Sequence, residues 1–176
     1  MIVLGVDPGL RRTGYGAIRV DRGGAALIEG GVLEPNPKAP LERRLHELHV
    51  AMCDVIRSLQ PDCMIVEELW SAYEHPQTAV LMGHARGVLC LAAGAHGVRV
   101  EPLAHALVKR ALTGAGAARK AQVGAMVARM LGLREIPQPN DVTDALALAL
   151  AFAMRDGSKP RSREPEIAVP PANAVR

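Results

Sequence analysis

The stretch Ile2-Val3-Leu4-Gly5-Val6-Asp7-Pro8-Gly9 decides the fold. Its apolar residues, rich in Val and Ile, suit a strand buried on both faces, and Pro8-Gly9 stops it. A carboxylate ending such a strand is costly unless something pairs with it. Two readings of Asp7 stand side by side. It is a turn former bonding the backbone of Gly9 or Leu10, or it is a ligand held at a strand end for chemistry.

Outward from that strand, residues 15–20 read as a second strand. Asp21-Arg22-Gly23-Gly24 makes a hairpin turn into a third, over 25–33. Pro35, Pro37 and Pro40 break the chain. Leu41, Leu45, Leu48, Met52, Val55, Ile56 and Leu59 then recur at helical spacing, predicting an amphipathic helix over 41–60. Residues 63–67 form a fourth strand with an acidic end, and 68–76 a loop. Residues 77–96 form a helix apolar on almost every side, with Gly83 and Gly87 one turn apart. A fifth strand covers 98–102. Helices follow over 104–113 and 118–131, split by Gly114-Ala115-Gly116, and a last one runs from Asn140 or Asp141 to about 155. The order β-β-β-α-β-α-β-α-α-α predicts an α/β protein of the ribonuclease-H-like class, a five-stranded mixed sheet with helices on both faces. Such a likeness at fold level does not itself give a function. Residues 1–155 are expected to be one domain. Residues 156–176 hold four of the 13 prolines, with charges and little periodicity, and are expected to be a disordered tail.

Composition sets bounds. Hydrophobic residues make up 49% of the 176 and charged residues 22%, enough for a sizeable core. The net charge of +3 is unevenly spread: residues 101–136 carry six basic residues against two acids, and 61–100 carry two against four. Basic and acidic segments in one small domain suit a polyanion handled by metal-binding carboxylates. Cys53, Cys63 and Cys90 form no CxxC pair and read as reduced cysteines of a cytoplasmic protein. The N-terminus lacks a basic region and a cleavage site, so no signal peptide is expected. His84, Arg86 and His96 interrupt the apolar run at 78–97, so no membrane span is expected. His46 and His49 share a helix face without a third ligand, and read as ordinary surface histidines. His75, His84, His96 and His105 carry no assigned role.

Three further acids join Asp7. Period-2 alternation puts Glu67 and Glu68 on opposite faces, so one can enter a site while the other meets solvent. If the first and fourth strands are neighbours, Asp7 and one of these glutamates converge. Asp141 and Asp144 are three apart at a helix start and share a face. Capping and dipole effects explain that pair without catalysis. The apolar remainder of the helix, Ala145 to Ala151, nevertheless points to packing on the sheet, which presses both aspartates toward the strand ends. Asp7, Glu67, Asp141 and Asp144 together form an oxygen-rich cluster that is unfavourable alone and suits hard cations. Two Mg²⁺ or Mn²⁺ ions, roughly 4 Å apart, would activate a water and stabilise the leaving oxygen of a phosphodiester.

Asp7-Pro8-Gly9 with Thr13-Gly14-Tyr15-Gly16, then Glu67, Gly83-His84-Ala85-Arg86-Gly87, Val108-Lys109, Gly114-Ala115-Gly116 with Lys120, and Asp141-Val142-Thr143-Asp144-Ala145-Leu146-Ala147 occur in order. This series strongly resembles the RuvC-type Holliday-junction resolvases, from Met1 to about Met154. The resemblance implies a homodimer, Mg²⁺ or Mn²⁺, and paired symmetric nicks in four-way junction DNA during recombination and repair. It also implies branch-migration motor proteins as partners. It assigns the metal to Asp7, Glu67, Asp141 and Asp144, an active-site lysine to Lys120 and a second basic residue to Lys109. Arg86, in its matched segment, is expected to contact DNA. Trp70 lies where the family usually has an aromatic ring and is expected to stack on an opened DNA base, the other reading being packing in the core; Tyr73, in the same loop, is expected to contact DNA. Val142-Thr143 departs from the usual small pair between the two aspartates. The apolar helix at 77–96 fits a dimer interface, the other reading being a central helix buried in one chain. Competing functions are a non-catalytic junction-binding module, an actin-like or sugar-kinase phosphotransferase, and a relative acting on RNA or other branched DNA. The phosphotransferase needs a second similar half, for which the chain is too short.

Overall fold

The computed structural model describes residues 1–68 and 76–156. Ten elements follow the expected order: β1 (Ile2–Asp7), β2 (Thr13–Asp21), β3 (Gly24–Leu33), α1 (Leu41–Leu59), β4 (Cys63–Glu67), α2 (Pro76–Ala95), β5 (Arg99–Leu103), α3 (His105–Thr113), α4 (Lys120–Met130) and α5 (Asn140–Asp156). Their sheet order is β3-β2-β1-β4-β5. The first three strands form an antiparallel meander, while β1–β4 and β4–β5 are parallel pairs. This is the expected five-stranded mixed sheet, with β1 in the middle. The boundaries of β2 are wider than expected because Thr13 and Gly14 already pair with Leu33 and Val32. The tail expected over 156–176 lies, after Asp156, outside the described residues.

Alternation along β1 and β4 separates two cores. Val3, Cys63 and Ile65 face one side, with Val108, Leu112, Val123, Val127 and most of α5. Leu4, Val6, Met64 and Val66 face the other, with α1 and α2. Helices therefore cover both faces. The period-2 pattern has a direct consequence for the acids. Asp7 follows Val3 and Gly5 onto the α5 side, and Glu67 follows Cys63 and Ile65 onto the same side. Glu68 falls on the other phase and is exposed; its N–H donates to Leu103 O at 3.1 Å.

The seating of α5 rests on glycine. In register, Gly5 pairs with Gly16 and Gly16 with Gly30, giving a line of three glycines across β1, β2 and β3. A Cβ at Gly5 would sit 1.9 Å from Ala145 O, one at Gly16 2.6 Å from Leu146 Cδ2, and one at Gly30 2.8 Å from Val142 Cγ1. Gly14, two residues before Gly16, would meet Asp141 O at 2.1 Å. Only a side chain of hydrogen lets the helix backbone come so close. Across this groove α5 buries Val142, Thr143 and every residue from Ala145 to Ala153. Each fully buried leucine there contributes about 2 kcal/mol.

The α2 helix differs. It packs on the second core through Ala85, Leu89, Ala92 and Ala93, while Val80 is 58% exposed, Leu81 39% and Leu91 62%. A helix buried wholly within one chain is thus excluded. Gln77–Ala95 has the length and composition of a membrane-crossing segment, with a mean hydropathy of 1.3. Its buried line of small and apolar residues against α1 accounts for part of that hydropathy. Cys53 and Cys63 are buried, Cys90 is half-buried, and all three are free thiols, as expected.

Candidate active site

Asp7 and Glu67 meet because β1 and β4 are parallel neighbours. Val6 pairs with Val66, and each acid follows by one residue at the carboxyl end of its strand. The turn after β1 is closed without Asp7: the Gly9 N–H donates to Thr13 Oγ1 at 3.2 Å, and that buried hydroxyl donates to Gly9 O at 2.7 Å. The Gly9 amide offered to Asp7 by the turn-former reading is therefore taken by Thr13.

The α5 helix brings the other two acids down onto the strand ends. Val142 N–H donates to Pro139 O, and the Thr143 hydroxyl to Pro137 O at 2.6 Å, so the chain entering the helix is tied to its first turn. Thr143 is buried, which gives this departure from the family pattern a structural role. Asp144 faces a cavity of about 130 Å³ shared with Asp7, Glu67, His105, Lys109 and Lys120. A water occupies about 30 Å³ of liquid, so the space admits a cation with a few waters. Asp141 stands on the flank, lining the neighbouring groove with Arg12 rather than the cavity itself.

Electrostatics ties the four together. Burial, followed by the charges of Glu67, Asp144 and Asp141 and a hydrogen bond with Glu67, pushes the Asp7 carboxyl up to about 8. Each other acid leans on a cation or a hydrogen-bond donor. Lys120 Nζ donates to Asp144 Oδ2 at 2.8 Å. This bond holds the ammonium pKa above its ordinary value, against partial burial, with the charges of Asp144, Asp7 and Asp141 adding to it. Arg12 Nη1 lies 3.6 Å from Asp141 Oδ2, its Nε being bonded to Glu34 at 2.6 Å. His105 Nδ1 lies 2.8 Å from Glu67 Oε1. Among the described residues no three His, Cys, Asp or Glu side chains stand as a ready-made ion cage. Glu67, Asp141 and Asp144 are instead paired with His105, Arg12 and Lys120 respectively.

The structure thus gathers Asp7, Glu67, Asp144, Lys109 and Lys120, with Asp141 adjoining. It does not bring Arg86 to the cavity. That residue is half-buried on α2, and its Nε is buried without a hydrogen-bond partner among the described residues. Trp70 and Tyr73 lie outside the described residues. Sequence reasoning missed two features. His105 was one of several unassigned histidines, and only the β4–β5 pairing of Glu67 with Leu103 shows that it starts the next element beside the acid. The glycine line was legible as isolated glycines inside strands, a known sign of close backbone approach.

Comparison with known proteins agrees with this fold. A family model described as crossover junction endodeoxyribonuclease RuvC matches residues 3–152. The crossover junction endodeoxyribonuclease RuvC of Rhodopirellula baltica is 44% identical over 148 residues, which is 84% of this chain and 83% of that protein. The structure of Thermus thermophilus RuvC is 36% identical, with a TM-score of 0.82, over 89% of this chain and 97% of the other. T. thermophilus RuvC in complex with a Holliday junction substrate is 33% identical with the same TM-score, over 89% and 96%. With a family model matching residues 3–152 and a relative 44% identical over most of both chains, the chain belongs to the crossover junction endodeoxyribonuclease RuvC family.

Proposed function

We propose that the chain is a structure-selective endonuclease that resolves four-way DNA junctions by paired, symmetric phosphodiester hydrolysis. The observation that carries this reading is the convergence of Asp7, Glu67 and Asp144 with Lys120 on one cavity, from β1, β4, α5 and α4. The donor set is all carboxylate oxygen, which suits a hard divalent cation, Mg²⁺ or Mn²⁺, and two ions per site. Asp7, Glu67 and Asp144 would hold them, with Asp141 from the flank. When bound, such ions polarise a phosphodiester and lower the pKa of a water.

The chain's own groups do the remaining work. Asp7 gives up its proton on taking up a ligand role, since a carboxyl must be ionised to coordinate. Lys120, now on Asp144, is placed to offset negative charge at the scissile phosphate. Lys109, on the α3 wall of the cavity, holds the phosphate backbone. Arg86 contacts DNA away from the cavity, and Trp70 and Tyr73 stack on opened bases. A twofold dimer supplies the second site for the second nick. The exposed apolar line of α2, from Val80 to Leu91, is its contact. By the family's biology, the partners are junction DNA and branch-migration motors, and the setting is the cytoplasm, without a membrane.

The test is a synthetic four-way junction with end-labelled strands and Mg²⁺ or Mn²⁺. Wild-type protein is expected to nick two opposing strands at symmetric positions. Asp7→Asn is expected to cut at least about 1,000-fold more slowly, while binding the junction normally in low salt. Unpaired nicks, or normal cutting by the variant, would refute the reading.

A further inference from the structure

We propose that His105 is a positioning residue for Glu67: its Nδ1–H donates to Glu67 Oε1 and holds that carboxylate in the orientation from which it serves the metal site. The inference rests on the function proposed above and adds to it a residue outside the four acids and two lysines.

The backbone around His105 is fixed by the sheet. β5 runs parallel to β4 with Leu103 opposite Glu67. Glu68 N–H donates to Leu103 O at 3.1 Å, which ties the two strand ends together beyond the acid. One residue later Ala104 O accepts from both Leu107 and Val108, closing the first turn of α3. His105 is the first residue of that helix, and buried Val108 anchors the turn in the core. The imidazole therefore projects from a rigid corner, two residues past the residue that faces Glu67.

The side-chain geometry is that of a formed bond. Nδ1 lies 2.8 Å from Glu67 Oε1, and the ring lines the same cavity as Asp7, Lys120 and Asp144. Glu67 shares the cavity with Asp7, its neighbour at the end of the adjacent strand. The carboxylate is thus held by the imidazole, and a rotation about its terminal torsion would break that contact. That torsion is broad and poorly restrained in a free glutamate. A donor on one oxygen removes this freedom before a cation arrives. Partners of this kind fix the orientation of metal ligands, and losing one typically weakens metal binding about 10- to 100-fold. Nδ1–H is present in one neutral tautomer and in the imidazolium, so the bond does not depend on the ring's charge.

The experiment measures Mn²⁺ binding to the full-length, DNA-free protein by calorimetry and electron paramagnetic resonance, alongside Mg²⁺ titration of junction cleavage. His105→Ala is expected to raise the Mn²⁺ dissociation constant about tenfold and to move the Mg²⁺ requirement likewise. Its thermal midpoint and its junction binding in EDTA should stay those of wild type. His105→Asn, which keeps a side-chain N–H donor, should recover most of the affinity. In a Glu67→Gln background, His105→Ala should add nothing. Unchanged metal affinity in His105→Ala would overturn the inference and leave the function standing. No recovery by His105→Asn, or an additive loss in the Glu67→Gln background, would also overturn it. A wild-type chain that neither binds Mn²⁺ nor nicks junctions would instead overturn the proposed function, and this inference with it.

Discussion

The helices α5 and α2 are both apolar on nearly every side, yet the fold treats them oppositely. On α5 every residue from Ala145 to Ala153 is buried, whereas α2 buries only Ala85, Leu89, Ala92 and Ala93 among its described side chains. The difference lies in where the glycines are. Under α5 they belong to the sheet, and the helix backbone sinks onto Gly5, Gly16 and Gly30. On α2 they belong to the helix itself, where Gly83, Gly87 and Gly94 face open space with no atom within 4 Å of an added Cβ. Glycine beneath a helix draws it into the core and sets its position closely, which an active site requires. Glycine on the outer face of a helix leaves a smooth strip that a second chain's backbone can approach. One apolar helix thus places Asp141 and Asp144, and the other keeps an exposed apolar strip, the surface proposed above as the dimer contact.

The largest effect expected from breaking this contrast is at Gly5. A Cβ there cannot coexist with Ala145 O at 1.9 Å, so Gly5→Ala must lift α5. Overpacking of this severity costs about 3 kcal/mol, and the melting midpoint should fall by roughly 6–12 °C. Cleavage should fall with it, because both aspartates move. Gly87→Ala, on the open face of α2, should leave the unfolding of one chain unchanged or stabilise it by up to about 1 kcal/mol. Urea unfolding of the two variants decides the matter, and equal losses would remove the distinction between the helices.

A smaller effect sharpens the α5 side. Its aspartates add to the burial that raises Asp7 to about 8. A carboxyl whose folded pKa lies above its unfolded value is stabilised in its neutral form. The metal-free protein therefore loses stability as pH rises from about 4 toward 8. A cation held by Asp7, as proposed above, must displace that proton, so apparent Mg²⁺ affinity should rise by about tenfold per pH unit up to about pH 8 and then level off. Calorimetric titrations from pH 6 to 9 test this. The slope should vanish in Asp7→Asn, and a flat profile in wild type would mean that Asp7 is already ionised.

The smallest effect on the fold is expected on α2. Leu91 is 62% exposed, so Leu91→Glu should alter the stability of a single chain by no more than about 0.5 kcal/mol. If α2 forms the proposed contact, sedimentation velocity should nevertheless show dimers for wild type and monomers for this variant. A variant that remains dimeric would place the interface elsewhere.

The sequence by itself determined a great deal. The apolar run to Asp7, the hairpin at Asp21–Gly24, the helical spacing from Leu41 to Leu59 and the paired aspartates before Ala145 are local patterns. Local periodicity reports which side of an element is apolar, and ordered motifs on the same span were enough to identify the family. Tertiary structure decided what those patterns cannot contain, namely which elements are neighbours. It placed Glu67 rather than Glu68 on the α5 side, because the phase of β4 has meaning only beside β1. It set His105 on Glu67 through the β4–β5 register, and it set Arg12 beside Asp141. It also separated α5 from α2, whose compositions are alike, because burial depends on the surface a helix meets as well as on the residues it carries.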